Sequence, residues 1–409
     1  MVQRLFQEAS RITGTHVFVA FVWLLAAAWL WRVLPALVGL PRIPDLHDKK
    51  YSAALSPADT PSITVIVPAR NEAQAIAATL RSLLACEYSA LHILAVDDRS
   101  TDATGEIMES VARQPDAAGK LRVLHIAELP AGWLGKPHAM ALAAQSAQTD
   151  WLLCTDGDIL FAPDVLRRAM TYAQESRADH LVVYPTMILK GWAEHGFLTF
   201  FQSLSVWAGR PWRIADARAK RDFIGVGAFN LIRRSVYEKL GGFDALRMEV
   251  LEDMRIGYKV KQAGYAQRVA FGRDMVRVRW AEGVLGMVNN LTKNMFSAFR
   301  FRASLLLAAC VGILLLCMTP IVALVIPGPA RWAGVTTLVA LLLLNLRYWK
   351  QTRLSPLYLI YFPVGALLLL YTMLRSLVLT YWRGGVLWRG TLYPLAELRR
   401  YARAENPEG

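Results

Sequence analysis

Between residues 62 and 272, short apolar runs of strand length alternate with segments whose apolar residues recur at helical spacing. No other feature constrains the fold as much. Residues 63–67, 92–96, 121–125, 151–155 and 180–184 read as buried strands. Residues 72–84, 102–114 and 137–147, and a stretch beginning at Pro163, read as the helices between them. Such alternation specifies an α/β fold, a mostly parallel sheet with helices on both faces. Ligands of these sheets bind beyond the carboxyl ends of the strands, and this chain places its polar residues there.

The run 151–155 ends in Asp156-Gly157-Asp158. An extended backbone would send the two carboxylates to opposite faces, whereas Gly157 lets the chain turn so that both converge. Two converging anions at the end of a buried strand call for a cation, and Mg²⁺ or Mn²⁺ held by carboxylate and phosphate oxygens meets that need. A plain strand-to-helix turn explains the same three residues equally well.

Other strand ends add candidates. The first runs into Pro68-Ala69-Arg70-Asn71-Glu72, where Asn71 suits a helix cap, Arg70 a phosphate and Glu72 a ribose or base. The second runs into Asp97-Asp98-Arg99-Ser100-Thr101-Asp102; Asp98 suits a nucleobase or ribose edge, and Asp102 a cap. Gly135-Lys136-Pro137 opens a helix, with Lys136 set for phosphate, although the P-loop spacing is missing. Residues 224–230 form a small-residue loop suited to close approach of a substrate to the backbone. Asp253, after Glu252, stands at a helix start, where a cap is the simplest explanation.

Composition matters for the flanks. Of 409 residues, 55% are hydrophobic, and the excess lies in 17–40 and in three runs, 303–326, 332–346 and 357–382. The first and second of these four are long enough to span a bilayer, at roughly 20 residues. Arg32 and Pro35 place the end of the first span near Trp31, the run 332–346 is marginal, and Pro363 and Gly365 break the last. Residues 41–61 read as a linker, 283–302 as an amphipathic interface helix with Lys293 on it, and 384–409 as a basic polar tail. The aromatic-rich run 196–212 suits either an interface segment or domain core. The net charge of +14 gathers beside the apolar runs, which favours an anionic membrane surface over nucleic acid. The four cysteines have no paired or metal-type spacing and read as buried thiols. One span before the catalytic region and three after it would leave the basic tail on the opposite side from that region. The positive-inside tendency argues against this, so either 357–382 re-enters or another run does not cross.

Taken in order, VPARNE at 67–72, VDDRSTD at 96–102, GK at 135–136, DGD at 156–158 and ED at 252–253 resemble glycosyltransferase family 2, whose fold is GT-A. The resemblance covers residues 62–300, with 62–282 as the catalytic domain between transmembrane helices at both ends. It implies that Pro68, Arg70, Glu72 and Asp98 hold a nucleotide with Lys136 beside it, and that Asp156 and Asp158 bind a metal–diphosphate. It implies that Asp253 is the general base and that Glu252, Arg279 and Trp280 lie on the acceptor side. Arg279 and Trp280 fit the family's QxxRW motif, while Val276 stands where glutamine is expected, a departure from the processive polysaccharide synthases. The flanking membrane runs look more like the ceramide-glucosyltransferase-like and hopanoid-associated members. These imply a nucleotide-sugar donor (a UDP-sugar above others), a lipid or lipid-linked acceptor, and an inner-membrane, multi-pass protein with a cytoplasmic catalytic domain. A nucleotide-dependent oxidoreductase is disfavoured, because no GxGxxG follows the first strand. A non-catalytic scaffold is disfavoured by the intact acidic set.

Overall fold

A computed structural model describes residues 2–52 and 60–404, with residues 2–13 described by their backbone. Helix α1 (Val2–Gly39) runs through Arg32 and Pro35 rather than ending near Trp31. Its buried stripe, Val22, Ala26, Trp29, Val33 and Ala36, repeats every three or four residues. Packing of that stripe on later helices overrides the break expected at proline. Residues 41–52 are no free linker: Leu46 and Tyr51 are buried, and Arg273 reaches Asp45 at 3.3 Å. Residues 53–59 of the expected linker lie outside the described residues.

The α/β region follows with β1 (Ile63–Ala69), α2 (Ile76–Leu84), β2 (Leu91–Asp98), α3 (Thr104–Ala112), β3 (Leu121–Ile126), α4 (Gly135–Ser146) and β4 (Trp151–Cys154). Next come β5 (Ile159–Phe161), α5 (Val165–Glu175), β6 (His180–Tyr184), β7 (Thr186–Met187) and α6 (Trp192–Ala208). The region closes with β8 (Asn230–Arg233), α7 (Arg234–Lys239), α8 (Glu252–Gln262), β9 (Gln267–Phe271) and β10 (Val276–Val278). The five expected strands are β1, β2, β3, β4 and β6.

The main sheet has the order β3-β2-β1-β4-β8-β6-β9. All its pairings are parallel except those of β8, which runs antiparallel between β4 and β6. A smaller sheet, β5-β10-β7, stands beside it. Strand β1 is buried at all seven positions, as a central strand covered on both faces must be. Helix α2 begins at Ile76 rather than Glu72, because Asn71 takes a left-handed backbone (φ 56°) and the chain turns there first.

The remainder is helical: α9 (Gly283–Ala298), α10 (Ala303–Ala323), α11 (Pro329–Thr352) and α12 (Phe362–Trp382), then a hairpin of β11 (Gly385–Trp388) and β12 (Thr391–Pro394), and α13 (Leu395–Ala404). Four helical segments are long and apolar enough to cross a membrane: 14–42, α10, α11 and one that includes α12. Pro363 lies in the first turn of α12 and breaks nothing.

Three of the four segments point one end at the α/β domain and the other away. The far ends meet in a small cluster of Val22, Ala26, Ala323, Ala330 and Ala333. At the near ends, Gly39 abuts Trp212, Arg300 reaches Glu249 at 3.5 Å, and Arg353 pairs with Asp274. Helix α12 differs, since both its ends rest on the domain. Tyr361, just before it, stacks on Trp192 at 5.0 Å, and Gly365 is pressed against Phe200. Near its other end Arg375 donates to Thr292 at 2.7 Å, and Tyr381 sits 5.6 Å from Phe296. Its outer face is an exposed apolar stripe of Val364, Leu367, Tyr371, Leu374, Val378 and Trp382. Helix α12 packs on α6, α9 and α10 with one face outward, and its first residue, Phe362, meets Trp29 of α1 at 6.0 Å. The run 196–212 therefore serves as core beneath α12.

The chain after α12 returns to the α/β domain, with Arg389 on Glu72 and Tyr401 on Ala245. That tail is no loose polar segment either, because the hairpin and α13 dock on the domain. Single cysteines at Ala217 and Ala396, introduced after replacing the four buried natural ones, should be labelled by an impermeant thiol reagent from the same face of sealed vesicles. A cysteine at Pro327 should be labelled from the opposite face; labelling of Ala396→Cys together with Pro327→Cys would refute this arrangement.

Candidate active site

Strands β1 and β2 end side by side, with Pro68 opposite Val96 and Ala69 opposite Asp97. Beyond them the chain turns at two left-handed residues, Asn71 and Arg99 (φ 56° each). Asn71 Oδ1 accepts the Thr101 N–H at 2.8 Å, and Ser100 Oγ accepts the Asn71 N–H at 3.1 Å. Asn71 thus ties two loops together instead of capping α2. Asp102 accepts from the Thr104 N–H at 3.0 Å and from Ala73 at 3.2 Å, but the cap position of α3 falls one residue later, at Ala103. Of the acidic pair, Asp97 turns to Ser100 and His125. Asp98 is buried and accepts from Arg99 Nε at 2.7 Å.

Pro68, Arg70, Asp98, Lys136 and Asp156 line one cleft of about 380 Å³. Five candidates taken from four separated stretches of sequence therefore meet in one place. Glu72 stands at its edge.

The other wall was missed by the sequence reading. It is the hairpin β11–β12, which contributes Trp388, Arg389 and Tyr393. Arg389 and Gly390 form its two-residue turn, both with positive φ (47° and 78°), the geometry that matches strand twist. Arginine at such a position is strained by about 1 kcal/mol or more. Its side chain nevertheless bridges Glu72 Oε1 at 2.5 Å and the Arg70 carbonyl at 2.8 Å. Arg70 donates to Thr391 at 3.1 Å, and Tyr393 Oη accepts the Gly135 N–H at 3.2 Å. The signal was present in Gly385-Val-Leu-Trp-Arg-Gly-Thr-Leu-Tyr-Pro394, two short apolar runs around a glycine turn.

At the floor, Lys136 Nζ lies 2.6 Å from Asp156 Oδ1 and 2.6 Å from Glu252 Oε1. Burial alone would neutralise this ammonium, but the carboxylates of Asp156, Glu252 and Asp253 hold it charged, well above its ordinary range. Asp156 is held low by Lys136. Glu252 and Asp253 are pushed up by burial and by neighbouring carboxylates. Asp158 is pushed up to about 7 by burial and by the charges of Asp156 and Glu72.

Asp253 is the second residue of α8, and its Oδ1 accepts the Met254 N–H at 2.7 Å. The 224–230 loop packs against this helix start, and its glycines serve that contact rather than substrate approach. A Cβ at Gly225 would lie 1.7 Å from the Asp253 carbonyl oxygen, and one at Gly227 would lie 2.5 Å from Asp156 Oδ2.

Among the described residues, no group of three or more His, Cys, Asp or Glu side chains stands ready to hold a metal. Arg279 is committed elsewhere: its two terminal nitrogens grip Glu194 at 2.7 Å each, and one also donates to the Ile188 carbonyl. Glu194 further accepts from Gly283 and Lys190 backbone N–H groups, fixing α6 against β10 and the start of α9. Trp280 packs 6.1 Å from Phe201 in the same layer. The Arg-Trp pair thus braces the platform under α12.

The glycosyl transferase family 2 description matches residues 64–241, which span β1 to the end of α7. Residues 64–241 are a family 2 glycosyltransferase domain. Over 238 residues, 57% of the chain, it is 24% identical to 4,4'-diaponeurosporenoate glycosyltransferase of Staphylococcus aureus strain USA300. The chain spans 60% of that relative's length. The same protein from the bovine strain RF122 is 26% identical over 204 residues, covering 48% of this chain and 50% of the relative. Among solved structures, the mannosyltransferase PcManGT from Pyrobaculum calidifontis, in complex with GDP-Man and Mn²⁺, superposes with a TM-score of 0.52 at 20% identity. It covers 90% of this chain and 99% of its own, a likeness of GT-A fold. Glu252, Asp253, Arg279 and Trp280, with the hairpin, lie beyond the matched family 2 segment.

The Glu194–Arg279 pair gives a stability test. Arg279 and the backbone donors hold Glu194 down at about 2 from an ordinary 4.5. A lowered folded-state value means stabilisation present above pH 4.5 and lost as pH falls through about 2. The full difference corresponds to about 3 kcal/mol. Glu194→Gln should forfeit roughly that much at pH 7 and lower the midpoint of thermal unfolding in detergent by several degrees, with nucleotide binding preserved. An unchanged midpoint would show that the pair braces nothing.

Proposed function

We propose that the protein transfers a sugar from a nucleotide-diphosphate sugar to a lipid or lipid-linked acceptor at the membrane face, inverting the anomeric centre. One observation carries this reading: five acidic side chains from three separate segments gather around one cleft beside α12, whose outer face is apolar. Glu72, Asp156, Asp158, Glu252 and Asp253 outnumber Lys136, Arg389 and Lys293, the cations whose charge reaches them. A diphosphate would raise that excess further, so a divalent cation suits the site. Asp156 and Asp158 fit the role of its protein ligands, since Mg²⁺ and Mn²⁺ take one or two carboxylates and complete their shell with phosphate oxygens and water. A cation bound there would stabilise the negative charge that develops on the leaving diphosphate.

The chain's own groups supply the rest. Pro68, Arg70 and Asp98 provide a wall and polar edge for a nucleoside, with Trp388 and Tyr393 as an aromatic cover. Lys136 keeps Asp156 ionised and oriented. Asp253, raised by burial and held at the start of α8, takes the proton from an acceptor hydroxyl or acid as it attacks the anomeric carbon. The relatives' names point the same way, since one acts on a diaponeurosporenoate and the mannosyltransferase is bound to GDP-Man and Mn²⁺. The basic residues sit at the domain-side ends of the helices (Arg300, Arg302, Arg347, Lys350, Arg353), with Arg331 at the far end, and this distribution supports a cytoplasmic domain.

Asp253→Asn should bind nucleoside diphosphate normally yet lose roughly 10²–10⁴-fold in turnover, the usual worth of a general base. This is read by product formation with a panel of nucleotide sugars and lipid extract, followed by mass spectrometry. Full turnover in the variant removes Asp253 from the mechanism. Asp158→Ala should erase the dependence of nucleoside-diphosphate binding on Mn²⁺ in calorimetry; equal affinity with and without Mn²⁺ in the unaltered protein rejects the metal site.

A further inference from the structure

A second cleft lies on the membrane side of the hairpin, between α9 and α12, with about 580 Å³ of open space including its mouth. Its lining holds three cations, Lys293, Arg375 and Arg383, and no carboxylate. The donor cleft beside it is acidic at its floor, so the two have opposite electrostatic character.

The cations are differently held. Arg375 is tethered through its donation to Thr292 at 2.7 Å. Lys293 Nζ lies 4.6 Å from the centre of the Trp388 ring, whose residue lines the donor cleft. Burial, with the charges of Lys136 and Arg389, pushes the Lys293 ammonium down. The carboxylates of Asp156 and Glu252 offset only part of that push. Arg383 is exposed at the mouth, next to Trp382 (79% exposed) and one turn beyond Val378 (62% exposed) on the outward stripe of α12.

We propose that this cleft seats the anionic head of the acceptor, a lipid phosphate or carboxylate, with its apolar tail on the outer face of α12 and its reacting end directed past Trp388 to the donor cleft. The assignment rests on the sugar-transfer reading above and adds a substrate class to it. A lining with three cations and no carboxylate suits an anion, basic pockets at a membrane face suit lipid heads, and the apolar flank suits an amphiphile over a free ion. Lys293 of this cleft stands against the Trp388 ring of the donor cleft, so head and sugar would lie on either side of that contact.

The full chain in zwitterionic micelles, titrated calorimetrically with dodecyl phosphate, dodecanoate and dodecanol, tests this. At least one anion should bind roughly ten-fold or more tightly than the alcohol, the worth of a charge-assisted hydrogen bond. Preference for phosphate assigns a phospholipid-type or polyprenyl-phosphate-type head, and preference for dodecanoate assigns a carboxylic lipid. Arg383→Glu and Arg375→Gln should each reduce the preference about ten-fold while leaving Mn²⁺-dependent nucleoside-diphosphate binding within two-fold, which also certifies folding. Equal binding of all three amphiphiles, a preference unaltered in both variants, or inorganic phosphate binding as tightly as dodecyl phosphate overturns the assignment. Failure of the sugar-transfer reading registers separately, as absence of nucleoside-diphosphate binding in the unaltered protein.

Discussion

The site depends on one buried ammonium. Lys136 sits 2.6 Å from carboxylates contributed by the end of β4 and the start of α8, segments about a hundred residues apart. Removing it would leave Asp156, Glu252 and Asp253 facing each other in a low-dielectric pocket, a situation relieved only by protonation or by opening the fold. Glycines at 225 and 227 let the backbone come close enough for this arrangement, because any side chain there would strike Asp253 or Asp156. The acids therefore stand close together because a cation and two glycines permit it.

The second organising element is α12. Because both its ends rest on the α/β domain, the chain emerges from the apolar region on the domain's own side and can fold its last segment over the cleft. Arg389, Thr391 and Tyr393 touch residues that lie more than two hundred positions earlier. Closing so long a loop is entropically affordable when its ends are already held by a packed platform. Membrane attachment and active-site completion are thus one structural event, with Glu194 and Arg279 bracing the platform from below.

Much of the α/β core was legible in sequence, since strands buried on both faces must be apolar throughout and must end where the apolar run ends. Pro68, Arg70, Asp98, Lys136 and Asp156 were found for the same reason: they sit at strand or helix ends, and topology forces those ends to one edge. The small residues at 224–230 were misread, because nothing local distinguishes a glycine facing a substrate from one facing a carboxylate. Arg279 was legible as a motif and not as a contact; its partner Glu194 lies 85 residues away with no local sign of pairing.

Alternating periodicity, together with the punctuation of each strand by charged residues, determined by itself that this chain folds as a parallel α/β domain between apolar helices. Those are consequences of short-range geometry, which a sequence carries directly. Only the tertiary structure decided that Lys136 serves Asp156 and Glu252, that α12 packs on α6 and α9, and that a basic tail becomes a wall of the cleft. Each of these turns on which distant surfaces meet, and burial, charge compensation and close approach at glycine are settled only once the whole chain has packed.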